Sequence, residues 1–272
     1  MPLDTSTYAL AHLRLDGHRW SELRRIHGQI STQAAADGSA YFEQGNTKIL
    51  CTVTGPQEPK RGGGSSRDQS NEAKVEVEMN VAAFSGWTGR RERGGTSECR
   101  RCMYSLTGED PGYEMVADLG VVYRQYTIAS AFQSTIFTHL YPHSTITLNL
   151  HVLSQDGSLL ACALNAATLA LIDAGMPMSD YVSACTVASA PSSDQTLDEQ
   201  DPLLDLNGLE EQELPFLTVG TSGEEGKVLV LLMETRVQVA RLEAMADPGN
   251  LGWGSEGAWE EGAGVASELS KI

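Results

Sequence analysis

At 272 residues, 41% of them hydrophobic, the chain is long enough to bury a substantial core, as one large domain or as two halves. No apolar run approaches the ~20 residues of a membrane span, and residues 1–16 lack the charged-then-apolar layout of a secretory signal, so neither a membrane nor a secreted protein is expected. A net charge of −17 argues against a protein that simply coats nucleic acid, but the charge is segregated: residues 1–101 carry 14 Lys or Arg against 12 Asp or Glu, and residues 102–272 carry 5 against 24. That asymmetry fits a first part facing a polyanion and an acidic remainder facing solvent or basic proteins.

In chain order, Asp16-Gly17 predicts a turn within a segment bearing Arg14, Arg19, Arg24 and Arg25. Gln29–Ala35, Ala40–Glu43 and Lys48–Thr54 are predicted as a three-stranded meander, with Asp37-Gly38 and Gly45-Asn46 as its hairpin pairs. Residues 56–74 are polar and glycine-rich, which predicts a mobile loop carrying Lys60, Arg61 and Arg67. Val75–Ala83 alternates as a strand. Residues 90–101 hold five arginines, a density that calls for an acidic counterpart, and Arg100 and Arg101 close that run. Residues 128–146 then read as a helix followed by Tyr141-Pro142.

Residues 145–178 are the clearest stretch. Thr145–Leu153 alternates as a strand, Asp156-Gly157 turns the chain, and Leu159–Ala174 is apolar on every side until Gly175 and Pro177 end the helix. A helix apolar all round is buried, and its many alanines allow another backbone to approach, so it is predicted to pack on a sheet at the centre of a domain. Its N-terminal mouth, at Gly157 and Ser158, is where backbone N–H groups could hold a phosphate. A strand over Tyr181–Ala190, an acidic loop, a strand over Leu203–Asn207 and a hairpin of Phe216–Val219 with Val228–Met233 follow. Arg236–Met245 begins an amphipathic helix. Residues 246–272, rich in Gly and Glu and interrupted by Pro248, are predicted to be poorly ordered.

Five cysteines, three of them (Cys51, Cys162, Cys185) inside apolar segments, suggest reduced thiols in the cytosol or nucleus. Cys99 and Cys102 form a lone CxxC with no second pair and no histidine at ligand spacing, so no metal is expected. There is no P-loop, dinucleotide fingerprint or Ser-His-Asp order, and no cofactor is expected.

The stretch DGSLLACALNAATLALIDAGMPM resembles the central helix of the RNase PH family, and within it the exosome ring subunits. The segment ADGSAYFEQGNTKILCTVTGP is similar to the same family. So is the opening pattern of Arg14, Asp16, Gly17, Arg19, Glu22 and Arg24, where His18 replaces an arginine. The resemblance implies an α/β (α+β) fold of two similar sheet-plus-helix halves. It makes residues 1–245 one RNase PH-type domain with an atypical insertion at about 102–126 and a divergent tail at 246–272. The N-terminal arginines would tie the arm to a neighbouring subunit.

The resemblance also implies roles. The loop with Lys60 and Arg61 would reach RNA in the channel of a six-subunit ring, and Arg100 and Arg101 would bind the RNA backbone. In the family the central helix opens with Gly-Ser-Arg, whose arginine grips the attacking phosphate; here the positions are Gly157, Ser158 and Leu159, and leucine cannot pair with phosphate. Asp205 matches the first catalytic aspartate, and Glu213 stands where the second belongs. Positioning errors near 1 Å can cost about a hundredfold in rate. The implied function is a ring subunit without catalysis, guiding single-stranded RNA for 3′-to-5′ processing and decay of rRNA, mRNA and non-coding RNA. Its expected partners are other RNase PH-type ring subunits, cap subunits and an associated exoribonuclease, in nucleus, nucleolus and cytoplasm. An active phosphate-dependent exoribonuclease and a purely structural scaffold are the alternatives.

Overall fold

The structure, a computed structural model, describes residues 14, 16–19, 22–58, 72–82, 84–85, 113–188, 203–223 and 227–233, with residues 113–119 described by their backbone alone. Strands β1 (Ile26–Ile30), β2 (Gly38–Gln44) and β3 (Thr47–Gln57) form an antiparallel meander, turned at Gly45-Asn46. Strand β4 (Lys74–Val81) leads through helix α1 (Tyr113–Thr135) to β5 (Thr145–Ser154), and β4 and β5 pair in parallel, as a helical crossover allows. The resulting five-stranded sheet has the order β1-β2-β3-β5-β4.

Helix α2 (Leu159–Asp173) follows, then β6 (Val182–Ala188), β7 (Leu203–Leu204), the short helix α3 (Gly208–Glu213), β8 (Phe216–Ser222) and β9 (Lys227–Met233). The last four strands make an antiparallel sheet of order β7-β6-β8-β9. Helix α2 packs against β2 and β3 on one side and against β6 on the other. Two covering sheets explain why the helix is apolar all round: Leu160, Leu164 and Leu171 are all buried, and each buried leucine side chain is worth about 1.5–3 kcal/mol. Close approach is built in at Gly38, where a Cβ would lie 2.4 Å from the Ala170 carbonyl oxygen and 2.5 Å from the Ala174 nitrogen.

Helix α1 lays Ile128, Ala131 and Phe132 into the same core. Gln133 ties it to the start of β4: its side-chain amide donates to the Ala73 carbonyl at 2.8 Å and accepts from the Val75 N–H at 2.9 Å. The side-chain amide thus satisfies backbone groups beside an edge strand.

The α/β class stands, and two expectations are corrected. The first strand runs over Ile26–Ile30 rather than Gln29–Ala35, because Ser31 takes a left-handed φ of 54° and breaks the ladder. The helix expected from about Ile128 begins at Tyr113, so residues 113–126 of the segment set apart as an insertion are continuous with IASAFQSTIF. The remainder of the segment at 102–112, the helix expected over Arg236–Met245 and the tail at 246–272 lie outside the described residues.

Candidate functional site

The mouth of α2 is shaped by a turn that only glycine tolerates. Gly157 has a φ of 74°, and a Cβ there would sit 2.5 Å from both the Asn207 carbonyl carbon and the Leu206 carbonyl oxygen. Ser158 is also left-handed, at φ 52°, and makes no side-chain cap. Its hydroxyl instead donates to the Leu206 carbonyl at 3.0 Å. The segment 206–208 therefore lies directly across the helix mouth, and Ser158 and Leu159 are 1% and 3% exposed. Leu159 is a core side chain, packed in the same apolar cluster as the rest of α2.

The turn before the helix is held from three sides. Thr47 Oγ1 accepts from the Asp156 N–H at 3.1 Å and donates to the Gly157 carbonyl at 2.8 Å. The Asp156 carboxylate accepts from Asn46 Nδ2 at 2.9 Å and from the Gly208 N–H at 3.0 Å. Arg24 Nη1 donates to the Asp156 carbonyl at 2.6 Å.

Asp205 follows β7 with a φ of 54° and is 0% exposed. Its Oδ1 lies 2.7 Å from Arg24 Nη2, and its Oδ2 accepts the Arg24 backbone N–H at 2.9 Å. Burial alone would raise its pKa; the hydrogen bonds and charge of Arg24, with a hydrogen bond from Gln44, outweigh it and hold the carboxyl below the usual range. Arg24 is pulled down by burial and more than restored by the same pair. The guanidinium of Arg24 lies over Gly45, where a Cβ would come 2.8 Å from its Cδ.

A second buried pair lies beside the first. Arg14 pairs with Glu210, with Nε 3.0 Å from Oε1, and also donates to the carbonyls of Leu204 and of Asp205, the latter at 2.9 Å. Glu210 completes the capping box of α3: Asn207 Oδ1 accepts from the Leu209 and Glu210 N–H groups, and Glu210 Oε2 accepts from the Asn207 N–H at 3.2 Å. Glu213 is the last residue of α3 and is exposed.

The structure thus brings Gly157, Ser158 and the Asp205 segment together and leaves Glu213 on the surface of α3. Lys60, Arg61, Arg100 and Arg101 lie outside the described residues. The N-terminal arginines are corrected in role: Arg14 and Arg24 are ion-paired within this chain rather than offered to a neighbour, while Arg19 is exposed. Glu210 and Asn207 went unread in the sequence, although Asn207-Gly-Leu-Glu210 carries the spacing of a capping box. Among the described residues no group of three or more His, Cys, Asp or Glu could hold a metal ion. Burial pushes the thiols of Cys51 and Cys185 up to about 12 and that of Cys162 higher still, so none is a nucleophile at neutral pH.

Comparison with known proteins is consistent with this architecture. Residues 22–177 match the model of the 3′ exoribonuclease family, domain 1, RNase PH. The chain is 36% identical over 237 residues to the exosome complex component SKI6 of Saccharomyces cerevisiae, covering 87% of this chain and 83% of that protein. It is 37% identical over 235 residues to the mouse exosome complex component RRP41, covering 86% and 83%. Among solved structures, rice Rrp46 superposes with a TM-score of 0.64 at 22% identity, covering 88% of this chain and 94% of the other. An Archaeoglobus fulgidus exosome with RNA bound to the active site superposes with a TM-score of 0.63 at 15% identity, covering 89% and 91%; at such identities the likeness is one of fold. On the strength of its match over residues 22–177 and its 36% identity to a relative of which it covers 83%, the chain belongs to the RNase PH 3′ exoribonuclease family.

Proposed function

We propose that this chain is a ring subunit of an exosome that binds RNA without cleaving it, completing a six-membered ring with other RNase PH-type subunits. The observation that carries the non-catalytic part is the commitment of Asp205 to Arg24. A carboxylate with no exposed surface, both oxygens accepting hydrogen bonds from one arginine, is not available to move a proton at a scissile phosphodiester. Leu159 supports the same reading, because the position that the family resemblance assigns to a phosphate-gripping arginine is filled by an apolar side chain packed in the core. Phosphorolysis needs inorganic phosphate held in line with the bond it attacks, and backbone dipoles alone hold it weakly.

Lys60, Arg61, Arg100 and Arg101 supply the RNA contacts in this reading, as phosphate-binding cations on the first, basic part of the chain. Single-stranded RNA passes through the channel toward an associated exoribonuclease, with cap subunits at the entrance, in the processing and decay of rRNA, mRNA and non-coding RNA. The relatives named as exosome components support membership of such a complex, and the setting proposed with it is nuclear, nucleolar and cytoplasmic. The decisive experiment is release of nucleoside diphosphate from 3′-labelled single-stranded RNA by the chain assembled with its ring partners, with and without inorganic phosphate. No phosphate-dependent product is expected; a phosphate-dependent ladder would make this an active phosphorolytic subunit.

A further inference from the structure

At the end of α2 opposite its mouth, a groove of about 410 Å³ is lined by Ile172, Gly175, Met176, Met178, Asp180 and Tyr181. Three observations give it a chemistry. The groove receives the C-terminal, electronegative end of a 15-residue helix whose last turn holds no basic residue. Asp180 is exposed and takes part in no ion pair among the described residues. Its carboxylate is nevertheless fixed: Oδ1 accepts the Tyr181 N–H at 2.8 Å, and Oδ2 occupies the space a Cβ on Gly223 would fill, 1.7 Å away, a space left open by a left-handed glycine at the β8–β9 turn. Tyr181 is 60% exposed beside it, and Ile172, Met176 and Met178 make an apolar floor.

An apolar floor, a preset carboxylate, a helix C-terminus and an exposed aromatic face are the parts that hold a long cationic side chain: the stem lies on the methionines, and the head meets carboxylate, carbonyl dipole and ring. We infer that this groove docks an arginine-bearing segment of a partner protein. Charge complementarity selects that occupant over RNA, since residues 102–272 carry 5 basic against 24 acidic side chains. The inference is independent of whether RNA is guided or cleaved at the other end of α2.

The test is titration of the ¹⁵N-labelled chain with the peptide acetyl-Gly-Arg-Gly-amide, followed by amide shifts, with acetyl-Gly-norleucine-Gly-amide as the uncharged control. Shifts confined to Gly175, Ser179, Asp180 and Tyr181 are expected with the arginine peptide, at an affinity of about millimolar. D180N and Y181A should each weaken binding roughly fivefold. E76Q, which removes one half-buried charge elsewhere that is paired with Lys74, should leave it unchanged. D180N could loosen the β8–β9 turn, and Y181A keeps the test sound in that case. An equal response to the norleucine peptide, an equal loss in E76Q, or unaltered binding in both groove variants would overturn the inference. So would concentration-dependent self-association lost in Y181A, which would make the occupant a second copy of this chain.

Discussion

Arg24 and Asp205 stand 181 positions apart in the chain and meet as a buried ion pair, with Nη2 2.7 Å from Oδ1 and the Arg24 backbone N–H 2.9 Å from Oδ2. Because Arg14 grips Glu210 and two carbonyls of the same segment, the N-terminal arm is a clamp on residues 204–210. That segment is in turn the lid over Gly157 and Ser158. The arm, the lid and the helix mouth are one mechanical unit.

Removing one partner of such a pair leaves the other as an uncompensated buried charge, a loss of about 3–5 kcal/mol. D205A and R24A should each lower the stability of the chain by that order, measured as a shift of the urea midpoint at unchanged slope. The double variant R24M/D205N, with no charge left to bury and a residue that tolerates the left-handed backbone at 205, should recover much of the loss. If D205A were neutral, the pair would be a surface feature and the clamp would be wrong.

The same pair sets a pH dependence whose sign follows from the direction of the shift. The folded carboxyl of Asp205 lies below its ordinary value, while the unfolded one titrates near about 3.9. The folded state therefore binds fewer protons over that interval, so the contribution of Asp205 is fully present above pH ~4 and is lost as pH falls through the folded value. The wild-type urea midpoint should drop between pH 4 and pH 2 by more than that of D205N, and the difference between the two curves isolates this carboxyl from the rest.

Gly157 tests the lid from the other side. At φ 74°, with Leu206 and Asn207 backbone atoms 2.5 Å from a would-be Cβ, alanine meets both a strained conformation and an immovable neighbour. G157A should cost more than ~1 kcal/mol, and hydrogen exchange should quicken at Leu206–Glu210 ahead of the α2 interior. Exchange unchanged at those amides would mean that the lid does not rest on the turn.

Local pattern announced the elements that local pattern makes. Helix α2 was legible because a long, mostly apolar run ends at Gly175 and Pro177, and the meander because Gly45-Asn46 separates alternating segments. The start of α1 at Tyr113 was hidden by the family resemblance itself, which anchored the helix near Ile128 although residues 113–127 carry no proline. Asn207 and Glu210 carry the spacing of a cap, which the family's catalytic pattern at Asp205 and Glu213 overshadows. The pairing of Arg14 with Glu210 across 196 positions leaves no local trace, because a buried charge shows its partner only after the chain has folded.

Restoring the phosphate-gripping side chain is the sharpest probe of the proposed loss of catalysis. Leu159 is 3% exposed in an apolar cluster, so L159R forces a cation into the core or out past the 206–208 lid. Stability should fall by about 2–4 kcal/mol, and the assembled ring should show no phosphate-dependent release of nucleoside diphosphate, because Asp205 remains bound to Arg24. A gain of phosphorolysis in L159R would mean that the rest of the site is competent and that a single substitution silenced it.

RNA guidance and pure scaffolding differ in how affinity responds to salt. Each phosphate neutralised on a single strand adds about −0.7 to the slope of log K against log salt. If Lys60, Arg61, Arg100 and Arg101 each meet one phosphate, changing all four to glutamate should flatten the slope of the assembled ring by roughly 3 and weaken binding at low salt most. Reversal at Lys60 and Arg61 alone should account for about half of that change, with the Arg100 and Arg101 pair supplying the remainder. The acidic part of the chain is untouched by these variants, so its repulsion cancels between the curves. A slope unchanged by the fourfold reversal would assign RNA binding to the neighbouring subunits and leave this chain as a scaffold.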